Sequence, residues 1–182
     1  LAIAAIDGLD VRAVDLVRDC RAVAYSWRTV KESPRADGTV TEMPRYTPEV
    51  TATRWLTRAF QMEGGWAFTG RRMRLHYEAF VAAPEGHTRR LLRFVDHPDT
   101  ELPPRGQAKR SFVLGVNHTV LGNPMRFDQG EVVIRRDDRW RTQMDPADRR
   151  IVTRRTWPLL LRYGYIGPFK PAWARAAGGS SR

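Results

Sequence analysis

The chain has 182 residues, 42% of them hydrophobic and 28% charged, enough for one globular domain with a buried core. Its net charge is +11, but only Lys31, Lys109 and Lys170 are lysines and the arginines are scattered, so the basicity suits an anionic ligand better than a nucleic-acid partner. Cys20 is the one cysteine, which excludes an intrachain disulfide and a thiol-rich metal site and is compatible with a reducing, cytoplasmic compartment. His76, His87, His97 and His118 lack ligand spacing, so no metal is expected, and no apolar stretch or signal-peptide pattern indicates a membrane span or secretion.

In chain order, LAIAAIDGLDVRAVDLV reads as a sequence entered midway through a helix and its following strand, with Val14, Leu16 and Val17 as a buried apolar run. Arg18 then stands at the strand's carboxyl end, and a helix follows from about Arg21 to Glu32, with Ser26 eight residues after Arg18. Ligands of open α/β sheets collect at that edge, where a helix N-terminus offers free N–H groups to an anion. A guanidinium at the strand end and a hydroxyl two turns along the helix are together suited to one phosphate.

SPRADGTVTEMPRY is predicted as a loop, either part of a lid or a connector. Thr47, Pro48 and Glu49 open a helix to about Glu63, with Ala52, Leu56, Ala59 and Phe60 as its apolar stripe and Trp55 in the core. Met73, Leu75 and Tyr77 alternate as a strand, with Tyr77 and Glu78 at its end, and Glu78 reads as a structural anchor rather than a catalyst. Pro84 to Val95 is a helix, Asp96 to Arg110 a proline-bearing loop, and Asn117 to Phe127 a tight loop in which Gly122 permits close backbone approach and Arg126 is a further phosphate ligand. Arg135 and Arg136 before Asp137 and Asp138 read largely as a solvated face. Asp145 and Pro146 begin a last helix, with a break at Pro158 and an end near Tyr165; residues 168–182 read as a flexible tail after a domain of 1–167. There is no internal repeat.

Several of these segments resemble the sulfotransferase family, whose donor is 3′-phosphoadenosine-5′-phosphosulfate (PAPS). VRDCRAVAYSW, with its R-x7-S spacing, is similar to the family's 3′-phosphate-binding segment; RLHYEAFVAAPEGHTRRLLRFV is similar to its strand, Tyr-Glu pair and following helix. NHTVLGNPMRF and VIRRDDRW resemble the C-terminal segment of bacterial and carbohydrate-type members, and RYGY closes the match, which spans about Val14 to Tyr165 in the expected order. Cys20 departs from the proline usual at its place, without touching either phosphate ligand.

The resemblance implies a P-loop-NTPase-like α/β fold, a parallel sheet flanked by helices, and sulfuryl transfer from PAPS to a hydroxyl or amine acceptor without a metal. It makes Arg18 and Ser26 ligands of the donor's 3′-phosphate, and Tyr77 a neighbour of the adenine, with Gly122 and Arg126 completing the cofactor-binding set. No residue identifies itself as the catalytic base; His118 is a candidate, although a histidine in a turn is more often structural. The family's Gly/Ser/Thr-rich 5′-phosphosulfate loop has no counterpart here, GGSSR at the C-terminus being a tail, so the expectation is that this loop lies upstream of Leu1. Other readings are an inactive sulfotransferase fragment, a basic polyanion-binding module, and a P-loop kinase, which would need a Walker loop and Mg²⁺ ligands.

Overall fold

The computed structural model describes residues 6–29, 32–34, 40–65, 71–108, 110–116 and 129–168. The elements run β1 (Arg12–Val17), α1 (Cys20–Arg28), β2 (Glu32–Pro34), β3 (Val40–Glu42), α2 (Pro48–Gly65), β4 (Arg71–His76), α3 (Tyr77–Ala82), α4 (Pro84–Phe94), β5 (Ser111–Leu114), β6 (Gly130–Val133), α5 (Trp140–Gln143) and α6 (Pro146–Arg162). The architecture is mixed α/β. Its parallel sheet has two strands among the described residues, β1 and β4, which is smaller than the extended parallel sheet expected; β2–β3 and β5–β6 are antiparallel pairs.

The register of β1 on β4 runs from Arg12↔Arg71 to Val17↔His76, so the two strands end side by side. Asp15 faces its register partner Arg74 at 3.1 Å, and Arg74 reaches Glu63 of α2 at 2.5 Å, which ties the sheet to that helix. β1 is not the buried strand its apolar residues suggest. Val17 is buried, but Val14 is 39% and Leu16 58% exposed, because the face that β4 covers with Met73 and Leu75 is left open along β1.

Side-chain caps set the starts of α1, α2 and α6. Asp19 accepts from the backbone N–H of Arg21 at 2.9 Å, and Asp145 accepts from that of Ala147 at 2.7 Å, so each carboxylate satisfies a donor that the helix start would leave open. Thr47 supplies its hydroxyl to the N–H of Val50 at 3.4 Å in the same role for α2. α1 stops at Arg28 rather than Glu32. Glu32–Pro34 turns into a short strand paired with Val40–Glu42, as expected of a residue pair before proline, which disfavours helix. The predicted loop there is thus partly a hairpin.

The break predicted at Pro158 does not occur. α6 continues to Arg162 because Leu159 and Leu160 just beyond the proline are buried, and that packing outweighs one missing N–H. Two clusters form the core: Cys20, Ala22, Ala24, Trp140, Met144, Val152 and Leu160 join α1 to α5 and α6, while Val17, Leu159 and Tyr163 gather Trp55, Leu56 and Ala59 of α2. Trp55 is partly buried at the junction of both. Phe60, assigned to the stripe from sequence, lies 61% exposed on the outer side of α2.

Candidate functional site

Arg18 and Tyr77 follow the last residues of β1 and β4, and because Val17 and His76 are register partners the two chains leave the sheet adjacent. The guanidinium carbon of Arg18 lies 4.4 Å from the centroid of the Tyr77 ring, a cation–π contact. The Arg18 side chain is 23% exposed, and its Nη2 stands 4.0 Å from Asp137 Oδ2, too far for a hydrogen bond. Its Nε is buried with no hydrogen-bond partner among the described residues. Asp137 is instead held by Arg139 through contacts of 2.8 and 3.0 Å, and that hydrogen bond keeps its carboxyl below the usual carboxylate range. A buried guanidinium N–H without an acceptor costs roughly 1–3 kcal/mol.

The position of Arg18 is fixed by its surroundings. Its carbonyl accepts from the indole N–H of Trp55 at 3.2 Å. The next residue, Asp19, caps α1, takes Arg21 in a fork of 2.9 and 2.7 Å, and donates its backbone N–H to Glu78 at 3.3 Å. Arg21 in turn reaches the carbonyl of Tyr165 at 3.2 Å and lies over the Trp140 ring at 4.8 Å.

Glu78 is buried and accepts the hydroxyl of Tyr165 at 2.8 Å; that hydroxyl is also 3.2 Å from the Val17 carbonyl and 3.3 Å from His76 Nδ1. Burial raises the Glu78 carboxyl above its ordinary range, and burial with the charge of Glu78 raises the Tyr165 phenol. Burial, helped by the neighbouring Arg74, pushes His76 down to about 4, so its imidazole is neutral at pH 7. The anchoring role read for Glu78 therefore has a physical form: one carboxylate fastens the start of α1, the end of β4 and the C-terminal RYGY segment.

Ser26 lies in α1, two turns beyond Asp19, and is half-buried. Gly122, Arg126 and His118 fall outside the described residues. The structure thus brings together Arg18 and Tyr77 from the sequence-derived set. Arg18 covers one face of the Tyr77 ring.

Arg18 also borders a cleft of about 350 Å³ between β1, α1 and α2, whose walls include Trp27, Tyr46, Arg54, Trp55 and Arg58. Sequence reasoning missed Trp27, Tyr46, Arg54 and Arg58. The available signal was the spacing of Arg54 and Arg58, one helical turn apart beside the stripe of Ala52, Leu56 and Ala59.

No protein-family model, curated protein or solved structure matches the chain. Among the described residues no group of three or more His, Cys, Asp or Glu is arranged to hold a metal ion, and no helix is long and apolar enough to cross a membrane. Cys20 is buried at the first turn of α1, where burial raises its thiol pKa, so it is not a nucleophile in this conformation.

Proposed function

We propose that this chain carries the 3′-phosphate-binding part of a PAPS-dependent sulfotransferase, within a P-loop-NTPase-like sheet of which β1 and β4 are neighbouring strands. The observation that carries the reading is Arg18: a guanidinium at a parallel strand's carboxyl end, stacked on Tyr77, with a buried N–H that has no acceptor among the described residues. The ordered resemblance from Val14 to Tyr165 supplies the ligand that suits it, a nucleotide with a phosphate beyond the ribose. That resemblance assigns Ser26 to the same phosphate and Tyr77 to the adenine, while Arg126 is a further phosphate ligand and Gly122 permits close backbone approach in their loop.

In the reaction, the acceptor oxygen or nitrogen bonds to sulfur while the sulfur–oxygen bond to the 5′-phosphate breaks. The electron pair of the broken bond leaves with 3′,5′-adenosine bisphosphate, and the acceptor's proton passes to a base. Cations that stabilise the bridging oxygen would provide most of the acceleration, as in phosphoryl transfer. Arg18 acts on binding in this scheme, by selecting the donor through its 3′-phosphate.

Calorimetric titration with 3′,5′-adenosine bisphosphate and with 5′-AMP tests the reading. Charge-assisted bonds to the extra phosphate should favour the bisphosphate by roughly 10-fold to 100-fold, and Arg18→Ala should abolish most of that preference. Equal affinity for the two nucleotides would sink the proposal.

A polyanion-binding module is the second reading, favoured by one observation. Arg141, Arg149, Arg150 and Arg154 surround Trp140, on which Arg21 and Arg141 both stack at 4.8 Å. Strongly salt-dependent binding of a single-stranded oligonucleotide, undiminished by adenosine bisphosphate, would favour it.

A further inference from the structure

Among the described residues three arginines border one aromatic-walled cleft, and the geometry points to a binding site for a ligand with a flat apolar body and an acid group. That recognition chemistry stands on the cleft itself and is independent of the sulfotransferase reading.

The aromatic wall is built rather than incidental. The rings of Trp27 and Tyr46 pack at a centroid separation of 5.0 Å, and the backbone N–H of Tyr46 donates to the Trp27 carbonyl at 3.3 Å. That bond ties the segment before α2 to the end of α1, so the wall keeps its shape. Val23, Ala59 and Met62 complete an apolar surface suited to a ring.

The polar end is cationic. The guanidinium carbon of Arg54 lies 3.9 Å from the Tyr46 centroid, which holds it against the cleft wall, and Arg58 follows one turn later on the same side of α2. The one carboxylate lining the cleft among the described residues, Asp15, is engaged by Arg74 at 3.1 Å. No ion pair with a described carboxylate neutralises Arg54 or Arg58, and Glu63, further along α2, is taken by Arg74 and Arg162.

Two like charges a turn apart repel each other, and a carboxylate between them relieves that repulsion while making charge-assisted bonds. A neutral ligand leaves both unpaired, and a cationic one is repelled. The charge complement therefore selects an acid, and the walls select a planar or apolar body.

The probes are 4-hydroxybenzoate and its methyl ester, which share a ring and a hydroxyl and differ in the acid. Titrated into the 182-residue chain with ligand-observed NMR, the acid should bind roughly 10-fold or more tightly than the ester, and the preference should vanish in Arg54→Gln/Arg58→Gln. Both arginines are exposed on α2, and a circular-dichroism melt verifies that the variant folds; Arg58→Gln alone provides a milder check. Acid and ester binding alike, neither binding, or a preference that survives in the folded double variant would each overturn the inference. Displacement of the acid by 3′,5′-adenosine bisphosphate would make the cleft a nucleotide site and refute a separate acid site. If the bisphosphate fails to bind while the acid preference holds, the donor reading falls and the cleft's selectivity remains.

Discussion

Replacing Tyr165 by Phe removes a single oxygen, yet it should be among the costlier conservative changes in this protein. That oxygen donates to the buried carboxylate of Glu78 at 2.8 Å, and without it Glu78 keeps only backbone donors among the described residues, the N–H of Asp19 at 3.3 Å and its own N–H. A hydrogen bond to a charged group contributes about 1.5–3 kcal/mol, which for a domain of this size lowers Tm by roughly 3–12 °C. The penalty should depend on pH. Burial already raises the Glu78 pKa above the ordinary 4.5, and losing the phenol raises it further. An acid whose folded pKa exceeds its unfolded value retains full stability below the unfolded value and loses it as pH rises through the folded one. Tyr165→Phe should therefore cost little near pH 4 and its full amount in neutral solution. Urea unfolding of parent and variant at both pH values gives the comparison, and a cycle with Glu78→Gln isolates the pair. Equal destabilisation at the two pH values, or a loss below about 0.5 kcal/mol at neutral pH, would refute the argument that Glu78 is an ionised buried anchor.

Asp19→Ala removes both the cap of α1 and the partner of Arg21 and should cost about 1–3 kcal/mol in urea unfolding, with Asp19→Asn intermediate because it restores the cap alone. His76 should titrate near 4 by NMR rather than at its ordinary 6.5. Since the unfolded chain takes up that proton first, the parent should lose stability as pH falls from about 6.5 toward 4, and His76→Gln should lose less over the same range. Leu160→Ala should destabilise by about 2–5 kcal/mol because the side chain is fully buried, whereas Leu161→Ala, at a position 48% exposed, should stay within about 0.5 kcal/mol by thermal melting.

Local chemistry alone determined where several elements begin. Asp145 with Pro146 and Thr47 with Pro48 each mark a helix start through an oxygen that caps the first turn and a residue whose missing N–H costs nothing there. The strand through Met73 and Leu75 and the helix from Pro84 were legible for the same reason, although Tyr77, read as part of that strand, opens α3: periodicity and terminal residues are properties of neighbours in sequence. Arg18 was readable as a strand-end guanidinium, and Glu78 as an anchor without its partners.

Tertiary structure decided the rest, because each remaining feature depends on residues far apart in the chain. The exposure of Val14 and Leu16 follows from what covers β1, which an apolar run does not encode, and the passage of α6 through Pro158 follows from the burial of Leu159 and Leu160. The meeting of Arg18 with Tyr77 comes from the parallel register Val17↔His76, and that of Glu78 with Tyr165 from the docking of the RYGY segment onto the strand ends. Trp27, Tyr46, Arg54 and Arg58 likewise become one cleft only when α1 and α2 pack beside β1. Sequence spacing fixes which side chains share a helix face or strand side; which faces then meet is set by the packing energy of the whole chain.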